Sequence, residues 1–356
     1  QRADKPFAVL FPSLDVVRDY CLFSADEEAL LCSPQAPIVL VRKRRDATLA
    51  EAVAPGNPYL GVMLPATPLH HLLMASLQHP MVATSGNRSE EPIVIDECEA
   101  LVRLKGIADA FLVHDRPIAR PVDDSVVLVV HGKGQVDDGG QREKPRADEI
   151  IIRRARGYVP LAIRWIDDSL DGEGQGPILA VGGHLKNTVA LLTGHRVVFS
   201  QHLGDLSTLE ADKAFRQAVE DLQRLRDVKP RAIACDLHPD YRSTGFAREL
   251  AASLSVPLVP VQHHHAHVAS CMGEHKLDGE VLGIAWDGAG YGGDGQVWGG
   301  EFLVASYRQF TRFASLKPFR LPGGEVAMRD PKRPAAALLW ELMGEAIAEL
   351  ELPSWN

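Results

Sequence analysis

PILAVGGHLKNTVALLTGHRVVFSQ, residues 177–201, decides the fold. It reads as three short β segments, PILAVG, NTVALLT and RVVFSQ, broken by tight turns at Gly182-Gly183 and Thr193-Gly194-His195. That is the pattern of an antiparallel meander. Working outward toward the C-terminus, Ser207-x-x-Glu210 reads as a capping box before an amphipathic helix carrying Leu209, Phe215, Val219, Leu222 and Leu225. A strand RAIACD, a helix STGFARELAASL and a strand PLVPVQ follow. The order β-β-β-α-β-α-β defines a mixed α/β (α+β) domain.

The stretch from Pro260 to Glu301, PVQHHHAHVASCMGEHKLDGEVLGIAWDGAGYGGDGQVWGGE, carries the chemistry. His263 and His267 lie four apart at the start of an expected helix from His264 to His275, so both imidazoles share one face, a spacing that suits one divalent metal. The apolar EVLGIAW is then expected to deliver Asp287 at its C-terminal end into a glycine-rich turn, where α/β folds expose chemistry. Asp287 is the third ligand candidate, and His264 and His265 fall to supporting positions. The competing reading is a solvated histidine loop. A tag would sit at a terminus, whereas this run lies between two expected strands. Two imidazoles and one carboxylate suit zinc or iron; magnesium takes more oxygens. Glycines 288, 290, 292, 293, 295, 299 and 300 fit a sharp-turned hairpin as well as a phosphate loop, and the two are compatible.

The 356 residues are 46% apolar and 24% charged, ordinary for globular protein and enough for two or three cores. A net charge of −9 argues against a general nucleic-acid or anionic-membrane binder. Five irregularly spaced cysteines, with no C-x-x-C pair, spell neither a disulfide framework nor a cysteine zinc site, and fit a reducing cytoplasm. No apolar run approaches the ~18 residues of a membrane span. The chain opens with Gln1 and strand-like sequence already at Pro6, as expected of a piece of a longer protein.

Toward the N-terminus from the meander, DDSLDGEGQG (167–176) reads as a linker, giving domains at 1–166 and 177–356. In the first, KPFAVLFPS reads as a strand, LDVVRDYCL as a helix, APIVLVRKR as a strand and TPLHHLLMASL as a helix opened by Thr67 and Pro68. The strand PMVATS runs into GNRSEEPIV, where Ser85, Gly86 and Asn87 make either a tight Asx turn or a nucleotide contact. Arg116, Arg120 and Asp123 precede the β run SVVLVV, with the same ambiguity. Residues 132–149 are polar and glycine-rich, an expected disordered excursion before the strand EIIIRRAR.

The strings APGNPYLGVMLPATPLHHLLM, ATSGNRSEEPI, RPIARPVDDSVV and RRARGYVP resemble the YrdC-like domain of the HypF carbamoyltransferase family of [NiFe]-hydrogenase maturation. LAVGGHLKNTVAL, VQHHHAHVASCM, GIAWDGAGYGGDGQVWGGEF and LPGGE resemble its TsaD-like domain. The β-β-β-α-β-α-β order likewise resembles the ribonuclease-H-like half of the actin-like ATPase superfamily. The resemblance implies both domains in incomplete form, without the acylphosphatase domain and zinc fingers that precede them in the family. It implies a first domain making carbamoyl adenylate from ATP and carbamoyl phosphate, with magnesium on the nucleotide, and a second passing the carbamoyl group to the C-terminal cysteine of HypE. By motif, Ser85 and Asn87 contact nucleotide phosphate, Arg2, Lys5 and Arg153 line the basic side of that pocket, and Lys186, Asn187, Gly299 and Gly300 belong to the phosphate side of the second domain. Lys186 reads equally as a solvated turn lysine. His263, His267 and Asp287 fall on the metal ligands, and the family's fourth, an aspartate, would lie beyond Asn356.

Three alternatives carry different tests. An antibiotic O-carbamoyltransferase of the tobramycin class would accept an aminoglycoside in place of a thiol peptide. Threonylcarbamoyl adenylate chemistry would show salt-dependent tRNA binding. An actin-like ATP-binding module would carry no metal.

Overall fold

The computed structural model describes residues 6–88, 91–131, 147–164, 176–324, 326–327 and 330–349. The chain forms two compact units, one holding the described residues up to Arg164 together with Gly176–Arg231, the other the described residues from Ala232 onward. The sequence reading begins its second domain at 177, ahead of the point where the second unit starts.

The first unit opens with β1 (Ala8–Leu10), α1 (Leu14–Tyr20), β2 (Cys21–Leu22), α2 (Ala25–Leu31) and β3 (Ile38–Lys43). β4 (Tyr59–Met63), α3 (Pro68–Leu77), β5 (Met81–Ala83), α4 (Glu97–Arg103), β6 (Val126–His131) and β7 (Ala147–Arg153) follow. Local chemistry starts each of the first three helices. Ser13 accepts from Val16 N, Ser24 and Glu27 close a reciprocal capping box, and Thr67 accepts from His70 N ahead of Pro68. The strands make a seven-stranded sheet in the order β5-β1-β4-β3-β6-β7, with β2 on β3. β1/β4 and β3/β6 are parallel and the other pairs antiparallel. Val9, Phe11, Val17, Leu31, Val39, Val41, Leu60 and Val62 fill one core, each contributing about 1.5–3 kcal/mol by leaving water. The sequence reading passed over α2. It also carried the polar excursion to Glu149, but Ala147, Asp148 and Glu149 pair with His131, Val130 and Val129, so β7 starts earlier. Residues 132–146 and the linker residues 165–175 lie outside the described residues.

The same unit contains β8 (Ile163–Arg164), β9 (Ile178–Ala180), β10 (Ala190–Thr193), β11 (Arg196–Phe199) and α5 (Leu209–Arg226). The expected meander is there: β9, β10 and β11 are antiparallel neighbours, and β8 pairs with β11. The cap of α5 is one residue later than expected, because Thr208 rather than Ser207 accepts from a helix N–H, that of Ala211.

In the second unit, β12 (Ala232–Asp236), α6 (Arg242–Leu254) and β13 (Leu258–Val261) form a parallel β-α-β step. α7 (His263–His275) follows at once, capped by Gln262, which accepts from His265 N. β14 (Val281–Tyr291), β15 (Val297–Ala305) and β16 (Phe310–Ser315) form an antiparallel sheet, and α8 (Lys332–Met343) comes last. Val268 and Met272 of α7 pack on Ala285, Leu303 and Ala305 of that sheet. All five cysteines are free, and among the described residues no helix is long and apolar enough to cross a membrane.

Candidate metal centre

Helical spacing places the two imidazoles. His263 and His267 stand one turn apart at the start of α7, with Nε2 atoms 3.2 Å apart. Asp287 Oδ2 lies 2.9 Å from His263 Nε2 and 3.5 Å from His267 Nε2. Ligand atoms ~2.0–2.1 Å from one ion at tetrahedral angles stand about 3.4 Å apart, so the three donors fit a single zinc or iron ion without rearrangement. The other Asp287 oxygen accepts from Gly288 N at 2.7 Å, which fixes the carboxylate.

Asp287 reaches the imidazoles by a route the sequence reading did not describe. It was expected at the end of a strand, entering a glycine turn. Instead β14 runs on to Tyr291 and is irregular between Trp286 and Gly290, while the turn proper occupies 292–296. The register shift breaks the alternation of faces and lets Asp287 turn toward α7. Gly290 permits the close approach: a Cβ there would lie 2.5 Å from Cε1 of the buried His264 ring. Gly300 is likewise a packing glycine, since a Cβ would meet Leu316 at 2.8 Å, and Gly299 passes behind Asp287, its N–H donating to Glu301 Oε1. Buried Glu301 forms a two-pronged ion pair with Arg312, whose guanidinium lies over Trp298.

The electrostatics follow from proximity. Hydrogen bonds to Asp236 and then Asp287 hold His263 at a pKa of about 9, against the opposing effect of burial. The bonds from His263 and His267 hold the Asp287 carboxyl far below the usual carboxylate range. Burial pushes the His264 pKa down. Its Nδ1 lies 3.0 Å from Gln262 Nε2, and His265 Nε2 lies 2.7 Å from the Ser306 carbonyl oxygen, so both rings serve the framework.

Asp236 was missed. It ends β12 and its Oδ2 lies 2.6 Å from His263 Nδ1. The signal was available: an aspartate at the C-terminal end of a predicted strand, the argument applied to Asp287 alone.

The nucleotide candidates are distributed differently. Ser85 Oγ donates to Asn87 Oδ1 at 2.5 Å, and Asn87 Nδ2 donates to the carbonyls of Arg88 and Glu91. The Asn87 side chain thus braces its own turn. Arg153 pairs with Asp123 at 3.7 Å, and among the described residues no hydrogen bond or ion pair joins it to Ser85 or Asn87. Arg120 pairs with Asp221. Lys186 is exposed in the left-handed region (φ 49°), with its N–H on Asp205. Asn187 is buried and donates to the Val181 and Gly183 carbonyls, tying the β9–β10 turn. Lys186 and Asn187 belong to the first unit, Gly299 and Gly300 to the second. Arg2 and Lys5 lie outside the described residues.

A mixed sheet in the first unit and a histidine–carboxylate centre in the second define the class, a Sua5/YrdC-type domain joined to a Kae1-like domain. Residues 1–137 match the Sua5/YciO/YrdC family described as telomere recombination, 173–274 the HypF Kae1-like domain, and 283–354 the carbamoyltransferase Kae1-like domain, second subdomain. The chain belongs to the HypF carbamoyltransferase family. It is 46% identical over 355 residues to carbamoyltransferase HypF of Synechocystis sp., covering 99% of this chain and 43% of that protein. It is 44% identical to carbamoyltransferase HypF2 of Cupriavidus necator, covering 95% of this chain and 42% of the relative. The crystal structure of full-length HypF in the phosphate- and nucleotide-bound form matches with TM-score 0.83 at 44% identity, over 96% of this chain and 42% of that one. HypF of T. kodakarensis matches with TM-score 0.82 at 37% identity, again over 96% and 42%. The chain therefore spans less than half the length of these relatives.

Proposed function

We propose that this segment carries the adenylation and transfer portions of a carbamoyltransferase, at 1–166 and 177–356. The first converts ATP and the carbamate derived from carbamoyl phosphate into carbamoyl adenylate and pyrophosphate. The second transfers the carbamoyl group to the C-terminal cysteine of HypE. In the transfer a C–S bond forms, the C–O bond to AMP breaks, and the thiol proton leaves to solvent or phosphate. The convergence of His263, His267 and Asp287 carries this reading, supported by the family.

These three residues would hold a divalent ion, which when bound supplies Lewis-acid polarisation of the acyl-phosphate carbonyl. The chain's own part is to fix geometry. α7 presents two imidazoles on one face, Gly288 N orients the Asp287 carboxylate, and the β14 irregularity brings it within reach. In the first portion, the Ser85–Asn87 turn offers a rigid loop beside which a triphosphate and a carbamate would be held together, with magnesium on the nucleotide.

The test is run on a protein of the relatives' full length carrying this segment. Asp287→Ala should keep carbamoyl-phosphate-dependent pyrophosphate release and lose transfer to the HypE thiol, a loss on the order of several kcal/mol of barrier. Asn87→Ala should lose pyrophosphate release, with transfer rescued by preformed carbamoyl adenylate. A folded Asp287→Ala protein lacking both activities would contradict two separate sites.

A further inference from the structure

Asp236 is a nearly buried carboxylate outside the three candidate ligands. Every acceptor it offers is engaged. Oδ2 meets His263 Nδ1 at 2.6 Å, Oδ1 accepts from His238 N at 2.8 Å, and its carbonyl oxygen accepts from Thr244 Oγ at 3.1 Å. The turn behind it is braced by contacts: the His238 ring stacks on Tyr241 with centroids 4.1 Å apart and planes within 1°, and His238 Nδ1 accepts from Asp240 N. An ionised carboxylate can only accept, and a backbone N–H can only donate. Asp236 therefore holds a hydrogen on His263 Nδ1, so that Nε2, 3.2 Å from His267 Nε2 and 2.9 Å from Asp287 Oδ2, is the nitrogen left for a metal to take.

We infer that Asp236 is a positioning residue that fixes the tautomer and ring plane of His263 so that Nε2 faces the point shared with His267 and Asp287. The inference rests on the metal reading for its purpose, but its geometry can be tested without metal. Asp236→Asn keeps the shape and removes the acceptor symmetry. If the amide oxygen keeps the His238 N–H, the amide NH2 faces His263 Nδ1 and forces the hydrogen onto Nε2, where a ligand lone pair is required. The reverse orientation sets that NH2 against the His238 N–H, two donors face to face.

The experiment uses the whole 356-residue chain with 15N-labelled histidine. The His263 signals are assigned by their absence from a His263→Gln spectrum. In metal-free protein carrying Asp287→Ala, which removes the second acceptor, 2.9 Å from Nε2, and at about pH 10 to keep the imidazole neutral, His263 should carry its proton on Nδ1, and on Nε2 once Asp236→Asn is added. Zinc affinity, measured by competition with a chromophoric chelator, should fall about 10–100-fold in Asp236→Asn. Asp236→Ala, which imposes neither tautomer once Asp287 is also alanine, should give a mixture in that background, and a smaller loss of affinity in the otherwise unaltered chain. An unchanged Nδ1–H tautomer in Asp236→Asn overturns the inference, as does unaltered zinc affinity. If Asp236→Asn fails to fold, a purely Nδ1–H ring in Asp236→Ala overturns it equally. A parent chain that binds no zinc would defeat the metal reading alone, since the tautomer result stands separately.

Discussion

His263 lies between two carboxylates, Asp236 on Nδ1 and Asp287 on Nε2, and this sandwich raises its pKa to about 9. In the metal-free chain at neutral pH the ring is therefore protonated, and an ion must displace that proton. Apparent zinc affinity should climb with pH through neutrality and level off above about 9. Asp287 is ionised throughout and releases nothing. Calorimetry in two buffers of different ionisation heat should find about one proton released at pH 7; none released would contradict the sandwich. The sign for stability is opposite. A raised imidazole pKa stabilises the metal-free fold fully below its unfolded value near 6.5, and that contribution is lost as pH rises through about 9.

Among the elements, α5 gives a direct comparison. Because Thr208 makes the capping bond, Thr208→Ala should cost about 1 kcal/mol in urea unfolding, while Ser207→Ala should cost little. Equal costs would place the cap elsewhere. The one-residue error came from reading Ser-x-x-Glu as a motif when Thr208 stood beside it. Ser24-x-x-Glu27 is the same motif, and there both halves of the box form. Elements whose signals are local were legible: the meander, the α7 spacing and the Thr67–Pro68 start. What escaped needed a second strand to define it. The β14 irregularity exists only against β15, and the Asp236–His263 contact spans 27 residues. Asn187 could not be recognised as a turn brace, because two carbonyls across its own loop decide its role.

In the whole molecule, the ligand candidates and Asp236 all belong to one compact unit. Zinc at about 100 times its dissociation constant should add about 2.7 kcal/mol to the stability of that unit. Hydrogen exchange should slow in β12, α7 and β14 and stay unchanged in β3 and β4, with a chelator reversing the effect. Equal slowing in both units would mean that they open together. The mixed α/β character was legible throughout the chain, because strand and helix periods alternate within short windows. The order of the seven-stranded sheet was not, since β3 separates β4 from β6 by pairings no local pattern encodes. The ring closed by Asp236 and His263, 27 positions apart in sequence, also bears on timing. Closure entropy grows only with the logarithm of ring size, so this ring forms cheaply, and the remaining parts lie close behind in β14 and β15. At roughly 5–20 residues per second of synthesis, the cradle is complete within seconds of Asp236 leaving the ribosome, as soon as Ala305 is free, so a nascent chain halted there should already compete for zinc.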